Sequence, residues 1–113
     1  MSMDLSVWSR TEFKIPEQLP EPDTWSCFEK ECSYEGNGWQ IIVLMADDEP
    51  SSEVLARFPK AQKGVYVSLE PLGAGREGYR MLENVVRSLS RMSEGVWVDA
   101  FGSVFQWNEG VFQ

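Results

Sequence analysis

The apolar run at residues 39–46, WQIIVLMA, is the segment that most restricts how this chain can fold. The pair Asn37-Gly38 directly precedes it, and such a pair is a strong signal for a two-residue hairpin turn because both positions accept a positive φ. The run therefore predicts the return strand of an antiparallel hairpin. Because nearly all of its residues are apolar, we expect it to lie inside the sheet and to be covered on both faces.

A second pattern predicts a long amphipathic helix over residues 76–92. Its apolar residues recur three and four positions apart, which places them on one stripe of a helix: Tyr79, Leu82, Val86 and Leu89. Arginines and an asparagine take another face of the same helix. Gly95 follows the last turn and ends the helix.

Shorter patterns complete the prediction. Strands are expected within residues 7–15, 25–34 and 63–69, a short helix within 47–58, and a final hairpin at 96–100 and 103–107 around Gly102. The order is β-ββ-α-β-α-ββ. We therefore predict an α+β class, with a mainly antiparallel sheet and both helices on one of its faces. A chain of 113 residues indicates a single domain, residues 1–113.

The charge of the chain is uneven. The net charge is −8, and residues 1–56 contain twelve acids and three bases, whereas residues 57–113 contain six acids and seven bases. A field of this sign repels nucleic acid and anionic membranes and attracts basic partners. Plain solubility is the simplest alternative explanation for the acidity.

Two cysteines, Cys27 and Cys32, lie in the predicted second strand. Their separation of five residues would place them on opposite faces of one strand. No histidine is present, so they cannot complete a zinc site alone, and we expect free thiols, no metal and no cofactor. The longest apolar run has six residues, against the about 20 that a membrane-spanning helix needs. A cytoplasmic location is the default expectation.

Residues 73–78, GAGREG, form a literal G-x-G-x-x-G between a predicted strand and the long helix. In dinucleotide-binding domains this spacing brings the backbone close to a pyrophosphate, and an acidic residue about 20 positions further on binds the ribose. The positions that such a site would use are Gly73, Gly75, Gly78 and Asp99. Two residues separate the strand from the loop, and Glu77 would repel a phosphate. The sequence also lacks the two βαβαβ halves that a dinucleotide requires.

The chain is poorly equipped for catalysis. It has no histidine to act as a base near neutral pH, and no G-x-S-x-G motif is present. The arginines of the long helix alternate with glutamates, which favours ion pairs within the helix over nucleic-acid binding. We therefore expect a protein that is not an enzyme. Five tryptophans should mostly lie in the core, and aromatics left on an open sheet face would form a binding patch.

The last third of the chain, EGVWVDAFGSVFQW after the long helix, resembles the ending of small immunity proteins from bacterial polymorphic-toxin and contact-dependent growth inhibition systems. In those families a helix is often followed by a hairpin with a glycine, alternating apolar residues, an aspartate and a second glycine. The matching positions are Gly95, Val96, Val98, Asp99, Gly102, Val104 and Phe105. The strand at residues 38–45 also resembles the central strand of such proteins.

This resemblance implies a small, acidic, cytoplasmic protein that is not an enzyme and that binds a cognate toxin domain, often a nuclease, and occludes its active site. The acidity fits a basic, nuclease-like partner. The candidate toxin-binding residues are Glu29, Glu31, Glu35, Trp39, Asp47, Asp48 and Glu49. Two other functions stay open: a nucleotide-binding module or enzyme using the glycine loop, and a phage-encoded or structural adaptor. Oligomeric state also stays open between a monomer and a weak dimer.

Overall fold

The computed structural model describes residues 2–109 of the chain. Within this range the elements are β1 (Met3–Ser9), a 3₁₀ helix (Pro22–Thr24), β2 (Ser26–Phe28), β3 (Glu31–Glu35), β4 (Gln40–Met45), α1 (Ser52–Arg57), β5 (Lys63–Glu70), α2 (Gly75–Ser93), β6 (Val96–Val98) and β7 (Val104–Gln106). The strands form one sheet in the order β2-β3-β4-β5-β1-β6-β7, and every pairing is antiparallel. The predicted α+β class and element order are confirmed.

The centre of the sheet is the long pairing of β1 with β5. Val7 lies opposite Val65, and Leu5 lies opposite Val67. These side chains point to one face, where α2 packs across them with the apolar stripe that the sequence predicted. The stripe is closed to solvent, with Leu82 1% exposed and Leu89 0% exposed. Burial of so much apolar surface is the main favourable contribution to this fold.

The two helices lie on opposite faces of the sheet, so the expectation that both share one face is wrong. Val54 of α1 belongs to a second apolar cluster with Trp8, Ala61 and Val96. Trp8 follows Val7 in β1, and successive strand residues point to opposite faces. The end of β1 is thus apolar on both sides, and α1 covers the side away from α2.

Strand β4 lies between β3 and β5, which confirms its predicted interior position. The expectation that it is covered on both faces is wrong. Ile41 and Val43 are completely buried under α2, whereas Leu44, on the opposite face, is 42% exposed. The short helix α1 packs with the cluster around Trp8 and does not extend over β4.

Two predicted strands have different bounds in the structure. The first strand is Met3–Ser9 rather than a segment of residues 7–15. The segment 25–34 is a hairpin of β2 and β3 rather than one strand, and Glu29 in its turn has φ 55°. Glycine, asparagine and proline are all missing from this turn, so the usual turn signals are absent from the sequence.

Helix α2 ends at Ser93, close to the predicted end, but Gly95 is not the residue that turns the chain. Glu94 adopts the left-handed conformation at the helix cap, with φ 51°. Gly95 is needed because of close approach: a Cβ at this position would lie 2.0 Å from the carbonyl oxygen of Trp8. That oxygen belongs to the backbone of a central strand and cannot easily move away.

We predict that Gly95→Ala destabilises the protein, because the added methyl group forces the α2–β6 connection away from β1. The expected loss in the free energy of unfolding is about 1–3 kcal/mol, the usual range for overpacking. The matched control is Gly73→Ala, where a Cβ meets nothing within 4 Å. Urea unfolding of both variants measures the difference, and equal midpoints would contradict the described contact.

Candidate functional site

Five of the predicted acidic residues lie together at one end of the sheet. Two belong to the β2–β3 hairpin and three follow the last residue of β4: Glu29, Glu31, Asp47, Asp48 and Glu49. The amide of Met45 donates to the carbonyl oxygen of Lys30 at 2.9 Å, which ties the hairpin turn to the end of β4. Antiparallel pairing of β3 with β4 therefore brings two separate acidic segments to the same end of the sheet. We refer to these five residues as the acidic end.

One cation is paired within the acidic end. Lys30 donates to Asp47 at 2.8 Å, and both side chains are largely exposed, so this pair contributes little to stability. The hydrogen bond to the Asp47 carboxylate and the attraction of its charge raise the pKa of the Lys30 ammonium. Among residues 2–109, neither Glu31 nor Glu49 forms an ion pair. The acidic end therefore keeps most of its negative charge directed at solvent.

Asp48 has a defined partner in Tyr66 of β5. The Tyr66 hydroxyl donates to the Asp48 carboxylate at 2.6 Å. This hydrogen bond, together with partial burial, raises the pKa of Tyr66 to about 12. Tyr66 also packs edge-on against Trp8, with ring centroids 6.2 Å apart. The aspartate is thus held at the border between the acidic end and the apolar cluster under α1.

The remaining two predicted residues lie elsewhere. Glu35 ends β3 at the opposite end of the sheet, and Trp39 is 7% exposed and belongs to the core beneath α2. The indole of Trp39 stacks on Tyr34 at 5.9 Å. A buried indole of this kind is a packing residue, so Trp39 is not an exposed anchor. Its Nε1 has no hydrogen-bond partner among the described residues.

A cavity of about 580 Å³ opens beside Trp39 at this second end. Its lining combines the indole with polar groups and the backbone of a turn: Glu35, Gly36, Gly38, Trp39, Gln40, Glu70 and Pro71. The Gln40 amide donates to Glu70 at 3.1 Å across the cavity wall. Glu35 and Glu70 thus make the cavity acidic.

Between these two ends, the face of the sheet opposite α2 is uncovered over β2 to β5 and at the start of β1. Paired residues of neighbouring strands share a face, and the register therefore gives the members of this surface. We call it the open face, and its residues are Asp4, Ser26, Phe28, Glu31, Ser33, Ile42, Leu44 and Ser68. Tyr66 borders it beside Leu44, and Glu35, Gln40 and Glu70 lie on the same side at its far end. The eight residues of the open face include three apolar side chains, two acids and no lysine or arginine.

The open face contains an exposed aromatic residue that is not a tryptophan, and four of the five tryptophans lie in the core, as expected. Phe28 is 78% exposed, whereas Trp97 of the final hairpin is 2% exposed and stacks on Phe105 at 4.4 Å. Neither Phe28 nor Leu44 was singled out from the sequence. The available signal was the alternation in β3 and in residues 65–70 of β5, where every second residue is polar or a tyrosine.

The two cysteines form a disulfide bond, so the prediction of free thiols is wrong. The prediction treated residues 25–34 as one strand, which would place Cys27 and Cys32 on opposite faces. The turn at Glu29 folds the segment back on itself instead, and the two residues become direct partners with their Cα atoms 4.0 Å apart. The bond holds together the hairpin that carries Phe28 and Glu31.

The glycine loop has a packing role at its third glycine. A Cβ on Gly78 would lie 3.3 Å from both Leu69 and Trp39, so this glycine lets α2 approach the sheet. Gly73 and Gly75 face open space, and Gly75 has φ 83° at the start of the helix. Asp99 accepts hydrogen bonds from the amides of two residues in the β6–β7 turn.

The nucleotide-binding alternative has only the loop itself in its favour. The described sheet is antiparallel throughout, whereas the dinucleotide fold uses parallel strands on both sides of its switch point. In residues 2–109 no three histidine, cysteine, aspartate or glutamate side chains are placed so that they could hold one metal ion, and this includes the carboxylates of the acidic end. Neither of the two α-helices in that range has the length and apolar character needed to cross a bilayer.

Comparison with known proteins identifies no relative. No protein-family model matches the chain, and neither a curated protein nor a solved structure matches it.

We predict that Asp48→Ala lowers the pKa of Tyr66 towards its ordinary value of 10, because the phenol loses its acceptor. A tyrosine whose pKa is raised on folding stabilises the protein below pH 10, and this contribution is lost as pH rises through about 12. Ultraviolet titration of tyrosinate, with Tyr66→Phe as the reference, measures the shift. Asp47→Ala is the matched control and should leave this titration unchanged.

We also predict that the unreduced protein does not react with a thiol reagent and that reduction releases two thiols. Replacing both cysteines with alanine should lower the free energy of unfolding by about 2 kcal/mol, the chain-entropy estimate for so short a loop. The double variant should melt at the same temperature with and without reductant. Two reactive thiols in unreduced protein would contradict the bond.

Proposed function

We propose that this protein is an immunity protein that binds a basic, nuclease-like toxin domain and blocks its active site. The observation that carries the proposal is the acidic end. Two separate chain segments bring five carboxylates to one end of the sheet, and Lys30 forms an ion pair with one of them, Asp47. Such a surface attracts a partner that is itself built to hold phosphate groups.

Electrostatic attraction of this kind acts mainly on the rate of association. Complementary charge can raise association rate constants to about 10⁸–10⁹ M⁻¹s⁻¹ at low salt. Fast capture suits a protein that must neutralise a toxin before it damages nucleic acid. The same field disfavours nucleic acid and anionic membranes as partners of this chain, and in this proposal the protein itself performs no catalysis.

The cytoplasm is the proposed site of action, because nuclease substrates are there. Disulfides persist mainly in oxidising compartments, so the Cys27–Cys32 bond is the observation that bears against this location. Mass spectrometry of the protein after rapid acid quenching of cells would show which redox state is present. A reduced pair would agree with the cytoplasm.

The first test is a growth assay. The C-terminal domain encoded by the open reading frame directly upstream of this gene is expressed in a test bacterium, with and without this protein. We expect that the domain stops growth alone and that co-expression restores it. A harmless neighbour, or killing that continues in the presence of this protein, would overturn the proposal.

The acidic end is tested by matched charge reversal. Glu29→Lys with Glu49→Lys should slow association with that domain by about tenfold at low salt and flatten its salt dependence. Glu77→Lys with Glu94→Lys changes net charge equally, but both residues lie at the ends of α2 on the other side of the sheet. Stopped-flow kinetics should show a much smaller effect for this control pair. Equal effects would mean that net charge alone, and not the acidic end, steers the partner.

A further inference from the structure

The open face has exposed apolar side chains, and no helix packs over them. Phe28 is 78% exposed and Leu44 is 42% exposed, and Ile42 lies two residues from Leu44 on the same side of β4. The nearest cover, α1, packs over Trp8 and the β6–β7 hairpin and does not reach these strands. Exposed apolar surface of this kind in a folded protein is typical of contact sites.

Glu31 lies in the middle of this apolar surface. The register places it directly between Phe28 of β2 and Leu44 of β4. Its carboxylate has no ion pair or hydrogen bond among residues 2–109. A partner that covers both apolar neighbours would also remove Glu31 from water. Such burial is strongly unfavourable unless the partner supplies a cation.

We propose that the open face is the surface on which a basic protein partner docks. The partner places an apolar side chain on Phe28 and Leu44 and a lysine or arginine on Glu31. This inference rests on the proposed function, and it adds the place of contact and the chemistry of the partner's surface. The other four carboxylates of the acidic end then lie at the rim of the interface and steer approach, while the apolar centre around Glu31 slows dissociation.

Charge selects this occupant over the alternatives. A second copy of the chain would bring its own acidic surface and a net charge of −8 against the same face, and like charges across an interface oppose association. Nucleic acid and anionic lipid are disfavoured for the same reason. The serines of the face, Ser26, Ser33 and Ser68, are small and polar, so a partner can approach the strands closely between the apolar residues.

The chain supplies matched controls. Phe101, in the β6–β7 turn, is 93% exposed, and Leu55 of α1 is 39% exposed. Neither belongs to the open face. Phe28→Ser with Leu44→Ser can therefore be compared with Phe101→Ser and Leu55→Ser, which remove the same side-chain types from other surfaces.

The experiment uses two probes: a peptide of alternating lysine and tryptophan, and poly-L-lysine as a probe of charge alone. Nuclear magnetic resonance titration of the unmodified protein should place the peptide-induced shifts on the open face. The Phe28→Ser and Leu44→Ser double variant should lose about tenfold or more in peptide affinity, the effect of removing a central contact. Poly-L-lysine affinity should change by less than about twofold, and the control variant should bind both probes like the unmodified protein.

Three outcomes would overturn the inference: shifts centred away from β2 to β4, equal losses in the test and control variants, or a dimer that Phe28→Ser dissociates. Because the shift map needs no variant, it decides the question even if a double variant fails to fold. The growth assay separates this inference from the proposed function. If the Phe28→Ser and Leu44→Ser double variant still restores growth, the docking surface alone is rejected. If the upstream-encoded domain is harmless but the peptide binds the open face, the immunity role alone is rejected.

Discussion

The packing of α2 across β1 and β5 is the contact on which the rest of this structure depends. The helix buries its stripe against residues such as Val7 and Val67, and it is the long element of the fold. A helix is about 10–12 Å wide with its side chains, whereas neighbouring strands lie about 4.8 Å apart. One helix therefore covers the middle of a seven-stranded sheet and cannot cover all of it. The six residues of α1 cover part of the opposite side, and the strands beyond them stay open.

Much of this architecture could be predicted because its signals are local. The period of α2, the turn at Asn37-Gly38 and the final hairpin each follow from residues close together in sequence. The β2–β3 hairpin could not be predicted in the same way, because Glu29 adopts a positive φ without the residues that normally mark a turn. The wrong prediction of free thiols follows directly from that missed turn. A single strand would place Cys27 and Cys32 on opposite faces, whereas the hairpin makes them direct partners on one face.

The nearly all-apolar run in β4 was the most misleading signal. It suggested that both faces of β4 are covered. A continuous apolar run indicates that its side chains are disfavoured in water, but it does not show whether another element covers each face. The alternation in β3 and β5 contained the better information, because those strands lie beside β4 and present polar residues on one side. For the candidate site, the acids were chosen from their positions around one predicted hairpin and the start of the first helix. The pairing of β3 with β4 brings five of them to one end of the sheet and leaves Glu35 at the other. Phe28 could not be placed without the hairpin register, and Trp39 was assigned to the surface because residue type alone does not report burial.

The β2–β3 hairpin has a further consequence for how such a protein can change. All three residues of β2 are exposed, and in sheet order this strand pairs with β3 alone. Its side chains on the open face can therefore be exchanged in evolution with little effect on the core beneath α2, while the Cys27–Cys32 bond keeps the hairpin in register. Substitutions in this one short strand therefore change the chemistry of the exposed surface while the buried stripe of α2 stays in place.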